Sequence, residues 1–103
     1  MADYMYLVQM DIPAEHEDEF NRVYDTQLIP NLLNTPGVHS CIRYRLESSD
    51  VDGVARYAAV FEIDSPELLQ SAAWFAESDK GEWKEAIGPL TSNRSHIVFK
   101  KYG

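Results

Sequence analysis

The sequence has little cysteine, a deficit of positive charge and no long apolar run, and each shortage excludes a class of protein. Cys41 is the single cysteine, so neither an internal disulfide nor a cysteine-based zinc cluster is available. A formal net charge of -8 gives a surface that repels nucleic-acid phosphates and anionic lipids. No apolar run approaches the roughly 20 residues that cross a bilayer. We therefore expect no nucleic-acid and no membrane partner. The opening Met1-Ala2-Asp3-Tyr4 lacks the features of a signal peptide, so we expect a cytoplasmic protein.

Motifs that bind cofactors are also missing. The chain has no Gly-rich phosphate loop, no GxGxxG and no serine in a nucleophile elbow. His39 and Cys41 stand two residues apart on one predicted strand face, which is too weak a pattern for a metal site. We therefore predict no cofactor and no metal. An enzyme built on this chain would use acid–base or proton-transfer chemistry.

What the sequence does contain is a regular order of short segments along its 103 residues. Runs rich in aromatic and branched residues predict strands, and apolar residues at helical spacing predict helices. The predicted strands are residues 4–10, 38–46, 54–63 and 92–102, and the predicted helices are residues 14–33, about 68–76 and 82–87. Pro30 interrupts the first helix, so a kink or break is expected at residues 27–30.

This β-α-β-β-α-β order predicts an α+β fold, a ferredoxin-like sandwich in which four antiparallel strands carry the helices on one face. We expect a single domain over residues 1–103. On the second strand, alternation puts Val38, Ser40, Ile42, Tyr44 and Leu46 on one face. We assign His39, Cys41, Arg43 and Arg45 to the uncovered face, together with Ala58 and Val60. A half-apolar face is unfavourable in water, so we expect a homodimer that buries sheet against sheet.

Four segments give the chain a resemblance to a known superfamily over nearly its whole length. They are YLVQMDIP, TQLIPNLLNTPGVHSCIRYRL, DSPELLQSAAWFAES and HIVFKKY. Together they resemble the dimeric α/β-barrel superfamily, including its EthD-like, antibiotic biosynthesis monooxygenase-like and uncharacterised members. EthD-like relatives often carry a histidine before the proline that corresponds to Pro30. This chain has Gln27 and Leu28 there, so no catalytic histidine carries over.

The resemblance implies an intracellular dimer with a pocket between sheet and helices, without choosing a reaction. Members include cofactor-independent monooxygenases, polyketide cyclases, muconolactone isomerases, haem enzymes and stress-responsive proteins. A shared fold with so many chemistries leaves the activity to the residues of the pocket.

Candidate catalytic residues are those that can move a proton or hold an oxyanion. His39 and His96 lie on predicted strands, and a neutral imidazole can act as a general base. The alternative for both is a structural hydrogen bond. Tyr24 can donate to an enolate, and any of Arg43, Arg45, Arg56 and Arg94 can anchor an anionic oxygen, with Arg43 taken as the catalytic candidate. The alternatives are a core tyrosine and arginines that form ion pairs.

Aromatic side chains are the candidates for the pocket walls, although packing in the core is the alternative reading. The predicted substrate-binding residues are Phe20, Tyr44, Tyr57, Trp74, Phe75 and Trp83. The leading hypothesis is cofactor-independent oxygenation, cyclisation or isomerisation of an aromatic or polyketide-like substrate. The second is a non-catalytic metabolite-binding or stress-responsive dimer. The third is a structural subunit whose cleft its own side chains fill.

Overall fold

The strands and helices follow the predicted order in a computed structural model that describes residues 2–103. The strands are β1 (Tyr4–Asp11), β2 (Val38–Arg45), β3 (Tyr57–Ile63) and β4 (Ser92–Lys100). The first helical segment joins a 3₁₀ turn (Ala14–His16), α1 (Glu17–Val23), a π-helical turn (Tyr24–Leu28) and α2 (Ile29–Leu32). The second contains a 3₁₀ turn (Pro66–Gln70), α3 (Ala72–Ser78), a π-helical turn (Trp83–Ile87) and a 3₁₀ turn (Gly88–Leu90). Among the described residues, no helix is both long and apolar enough to cross a membrane.

The four strands form one antiparallel sheet in the order β2-β3-β1-β4. The central strand β1 pairs with β3 and β4, so that Tyr6 stands opposite Phe61 on one side and Val98 on the other. The helical segments pack on one face of this sheet and bury its alternate side chains. The predicted α+β ferredoxin-like fold is confirmed.

The first helical segment runs to Leu32 through the position where a kink or break was expected. Its irregularity is the π-helical turn, in which the amide of Ile29 donates to the carbonyl of Tyr24. Pro30 comes directly after Ile29 and has no amide proton to donate. The wider π-helical turn leaves room for the proline ring, so the helical segment continues past it. The segment therefore keeps a continuous buried stripe from Phe20 to Leu32.

The second predicted helix is divided at Ser71, whose backbone is extended. The Ser71 hydroxyl accepts the amide proton of Trp74 at 3.1 Å and thereby caps the start of α3. A cap at this point makes α3 begin afresh at Ala72, and Trp74 falls in its first turn.

The strand β3 begins at Tyr57 instead of the predicted residue 54. The Arg56 amide donates to the Asp11 carboxylate at 2.7 Å instead of joining the ladder. The second Asp11 oxygen accepts from the Asn93 side chain at 3.1 Å, and Asn93 takes a left-handed backbone with φ 53°. Asn93 therefore serves to form the turn at the start of β4.

The predicted faces of β2 are wrong. Arg43 lies on the helix side of the sheet, where its guanidinium is 4.6 Å from the ring centre of Tyr24. Tyr44 and Ile42 lie on the opposite face, where they are 55% and 56% exposed. Hydropathy misassigned the strand because Ile42 and Tyr44 belong to the uncovered face, while aromatic rings cover Arg43. Val38, before the register shift, packs against the core.

The uncovered sheet face, called the open face below, has an apolar centre. Leu7 of β1 stands between Val60 of β3 and Ile97 of β4. Met5 pairs in the same way with Phe99, which is 50% exposed. Ala58 and Val60 lie on this face and are half-buried, as expected for them. Cys41, Arg43 and Arg45 were predicted beside them but stand opposite Phe61, Ala59 and Tyr57, whose side chains are buried on the helix side.

Candidate functional site

A cavity of about 450 Å³ lies between the helix-facing side of the sheet and the segments that cover it. Its floor is formed by β1 and β3 through Tyr6, Val8, Met10 and Phe61. The first helical segment contributes Tyr24, Leu28 and Leu32, and the second contributes Trp74 and Trp83. Charged side chains line it as well: Asp79, Lys84, Arg94 and, beside them, the imidazole of His96. The cavity thus combines apolar walls with a small set of polar groups, the usual composition of a small-molecule site.

The aromatic walls of the cavity are held edge to face. Tyr6 meets Trp74 at 5.9 Å between ring centres with an interplanar angle of 72°. Tyr24 meets Trp83 at 5.1 Å and 83°. Tyr6 also stacks beside His96 at 6.3 Å and 23°. These pairs fix flat surfaces around the space, because each ring is oriented by a neighbour.

Trp83 reaches the cavity from the second π-helical turn, and a glycine allows its position. A Cβ on Gly88 would lie 3.2 Å from the Trp83 carbonyl oxygen and 3.6 Å from its Nε1. The missing side chain lets the indole lie against this turn.

Hydrogen bonds hold the residues before Trp83 against the first helical segment. The Glu82 carboxylate accepts from Arg22 at 3.1 Å and from the Gln27 amide at 2.6 Å. The Gln27 carbonyl in turn accepts the Glu82 amide proton at 2.8 Å. Gly81 has φ +72°, and a Cβ there would collide with the same Gln27 oxygen. Hydrogen bonds from Arg22 and Gln27 lower the pKa of Glu82, so its carboxylate stays ionised at neutral pH.

His96 and Arg94 form the polar corner of the cavity on β4. The Arg94 guanidinium donates to His96 Nε2 and to Thr91 Oγ1, each at 3.4 Å. A guanidinium has only donors, so this contact requires a lone pair on Nε2 and assigns the proton of the neutral imidazole to Nδ1. Burial and the Arg94 charge lower the pKa of His96. The imidazole is therefore neutral and available as a base near pH 7.

Two tyrosine hydroxyls face the same space. Burial raises the pKa of Tyr6 and, by more, that of Tyr24. Among residues 2–103, neither hydroxyl has a hydrogen-bond partner in the protein. Both are protonated at neutral pH and can donate to a ligand oxygen.

Of the predicted site residues, the cavity brings together Tyr24, His96, Trp74 and Trp83. Phe20 is fully buried beneath them and lies outside the cavity lining. Tyr44 is on the open face, and Phe75 is 52% exposed on the outside of α3.

The remaining predicted site residues lie elsewhere and make structural contacts. His39 pairs with Asp64 at 2.6 Å. Arg43 donates to Asp25 and Asn21, both at 2.9 Å, and fastens α1 and the first π-helical turn to β2. The Tyr57 hydroxyl donates to Glu17.

Cys41, the possible partner of His39, is not poised as a nucleophile. It lies on the helix side of β2, and burial raises the pKa of its thiol to about 12. Among the described residues, no three or more His, Cys, Asp or Glu side chains are placed to hold a metal ion.

Sequence reasoning missed Tyr6 and gave Arg94 no special place. The alternation of YMYLVQM puts Tyr6, Val8 and Met10 on one strand face, which was a usable signal. Arg94 stands two residues before His96, so both point to the same side of β4. The Asp79–Lys84 pair, with 3.3 Å between Oδ2 and Nζ, had no sequence signal, because the turn at Gly81 separates the two residues.

Comparisons with known proteins agree with this fold. The sequence profile of DUF4286, described as a domain of unknown function, matches residues 3–100. No curated protein matches the chain.

Several solved structures are similar to this chain. The heme-degrader MhuD from Mycobacterium tuberculosis, with two hemes bound in its active site, has a TM-score of 0.64 at 20% identity, covering 94% of this chain and 93% of that one. An EthD family protein from Bacillus halodurans has a TM-score of 0.64 at 18% identity, covering 96% and 99%. SnoaB, a cofactor-independent oxygenase from Streptomyces nogalater, has a TM-score of 0.63 at 17% identity, covering 99% and 96%. These similarities confirm the predicted fold and, at such low identity, establish the fold alone.

Proposed function

The chain belongs to the DUF4286 family, a domain of unknown function, and we propose that its cavity binds a flat, aromatic or polyketide-like molecule and converts it as a monooxygenase-like enzyme. The observation that carries the proposal is the cavity of about 450 Å³, which has tryptophan and tyrosine walls and one histidine. The similarity to a cofactor-independent oxygenase and to a heme-degrader supports a small-molecule activity on this fold. We propose that no cofactor is bound and that the reaction is an oxygenation, cyclisation or isomerisation.

In this proposal His96 is the base. A substrate O–H that displaces the 3.4 Å contact between Arg94 and His96 gives its proton to Nε2. The oxygen left behind carries negative charge against the guanidinium, and Tyr24 or Tyr6 donates a further hydrogen bond to it. The site thus combines a general base with groups that stabilise the negative charge that develops on the substrate oxygen. All three proposed reaction types share this chemistry.

The second candidate is a protein that binds a metabolite without converting it. It is favoured by the surroundings of His96, which among residues 2–103 contacts no carboxylate that would orient its ring. In activated nucleophile–base pairs the base is itself oriented by a third group, for which a carboxylate is one choice. The third hypothesis required a filled cleft, whereas the structure has an open one.

A ligand screen tests the proposal, because both tryptophans of the chain line the cavity. Flat polycyclic phenols, quinones and hemin are titrated while the two indole N–H signals are followed by NMR, and each binder is then incubated in air and analysed by mass spectrometry. We expect indole shifts and a product with the mass of an oxygenated, cyclised or isomerised compound. Binding without product would select the second candidate, and the absence of any indole shift would contradict both.

We also propose that the open face pairs with a second copy of the chain. Ile97, Phe99, Ile42 and Tyr44 are exposed apolar side chains on this one face. An apolar patch of this kind is stable in water only when covered, and a two-fold axis covers both copies at once. The proposed partners are thus the chain itself and a small apolar or aromatic molecule.

Replacing Ile42 by glutamate tests the dimer. The chain has a mass of 11.8 kDa, so sedimentation at micromolar concentration is expected to give about twice that mass, falling to the monomer for Ile42→Glu. Ile42 is 56% exposed in one copy, so the change removes the pairing and leaves the fold. Val51→Glu is the control, since Val51 is 61% exposed in the loop between β2 and β3. A wild-type monomer at these concentrations would refute the dimer.

A further inference from the structure

Arg94 differs from the other arginines in its surroundings. Within residues 2–103, every other arginine pairs with an aspartate or a glutamate, whereas Arg94 pairs with none. Its protein contacts are the two long ones to Thr91 and His96. In a chain with a net charge of -8, a guanidinium without a carboxylate partner is an exception that needs a reason.

The other charged groups that line the cavity form no ion pair with Arg94. Lys84 and Asp79, which also line it, pair with each other at 3.3 Å. His96 is the remaining titratable group beside Arg94, and the Tyr6 and Tyr24 hydroxyls are neutral donors. Arg94 is therefore the one uncompensated charge among the described lining residues, and it is positive.

The aromatic walls constrain what can bring a negative charge to Arg94. The rings of Tyr6, Trp74 and Trp83 enclose an apolar space that favours a flat conjugated body. A carboxylate or an ionised enol at the edge of such a body can accept two parallel hydrogen bonds from a guanidinium. A neutral ligand of the same shape can offer the guanidinium a carbonyl or hydroxyl oxygen, but it leaves the charge of Arg94 uncompensated.

We infer that the cavity selects flat conjugated ligands that carry an ionised oxygen, with Arg94 as the residue that holds this oxygen. The inference rests on the proposed function and adds the charge class of the ligand to it. It assigns Arg94 a specificity role, while binding of the flat body itself depends on the aromatic walls.

The test uses two probes of the same shape and different charge. Anthraquinone-2-carboxylate and its neutral carboxamide are titrated into the full chain at pH 7, and the two indole N–H signals report binding. The carboxylate is expected to bind at least about tenfold more tightly, and Arg94→Gln is expected to abolish this difference while the carboxamide affinity stays the same. Arg45→Gln is the matched control, because it removes the same charge from a side chain outside the cavity that is 66% exposed.

The outcomes distinguish a failure of the inference about Arg94 from a failure of the proposed function on which it rests. Equal affinities for the two probes would leave the proposed binding function standing and overturn the inference. A preference that survives Arg94→Gln but disappears in Lys84→Gln would overturn the assignment to Arg94. Failure of both probes to shift either indole would overturn the proposed function and the inference together.

Discussion

Replacement of Phe20 by alanine is expected to lower the free energy of unfolding by about 3–5 kcal/mol, the usual cost of emptying a large aromatic site in a core. Phe20 is completely buried. Its ring centre lies 5.0 Å from that of Tyr57, 5.5 Å from that of Tyr24 and 6.1 Å from that of Trp83. The Arg43 guanidinium lies 5.2 Å from the same ring. The loss is large because these neighbours belong to both helical segments and the sheet, and cannot all collapse into the space.

Urea denaturation followed by circular dichroism measures this effect, with Phe75→Ala as the matched control. Phe75 is 52% exposed, and its removal is expected to cost less than about 1 kcal/mol. Phe20 and Phe75 were both predicted to bind substrate, so the pair also separates a core residue from a surface one. Similar losses for the two variants would contradict the packing described for Phe20.

Replacement of His96 by glutamine is expected to reduce turnover by about 10²–10⁴-fold, the usual contribution of a general base. The expectation rests on the proposed enzyme and uses the substrate that the screen identifies. Activity of the wild-type chain should rise with pH through the pKa of His96, because only the neutral imidazole accepts a proton. Burial and Arg94 lower that pKa, so the rise is expected below the ordinary histidine range.

NMR titration of the His96 ring gives the same pKa without any substrate. Arg94→Gln removes one of the two causes of the lowered pKa, so it is expected to move both the titration and the acid limb of the activity profile to higher pH. Tyr6 on β1 and the Asp79–Lys84 pair in the covering segment also face this site and are unchanged by that substitution. His39→Gln is the control, since His39 bonds to Asp64 outside the cavity. Unchanged turnover in His96→Gln would exclude His96 as the base.

The sequence predicted the order of elements because each strand and helix carries a local signal. The run Tyr4–Asp11 has the aromatic and branched residues of a strand, and Pro13, whose ring suits a helix start, precedes the first helical segment. The faces of β2 could not be predicted in the same way. Ile42 and Tyr44 are apolar yet exposed on the open face, and the interior position of Arg43 depends on rings from α1 and β3 that meet it only in the fold.

The candidate site was predictable to the extent that strand alternation and aromatic content describe it. Trp74, Trp83, Tyr24 and His96 were selected for their side-chain chemistry, and they meet at the cavity. The same chemistry also selected His39 and Tyr57, which are engaged by Asp64 and Glu17. These hydrogen bonds join residues that are far apart in the sequence. Composition and spacing therefore could not show which histidine or tyrosine already has a partner in the folded chain.

The two π-helical turns have a consequence for how this cavity can diverge among relatives. A π-helical turn is an α-helix with one residue inserted, and here such turns supply Tyr24 and Trp83. The first of them lies directly between α1 and α2, so deleting one residue from it would restore a regular helix and rotate every later side chain of that segment by about 100°. Homologues with a one-residue gap within 24–28 should therefore have turned the counterparts of Leu28 and Leu32 away from this cavity, a signature that can be read from sequences alone.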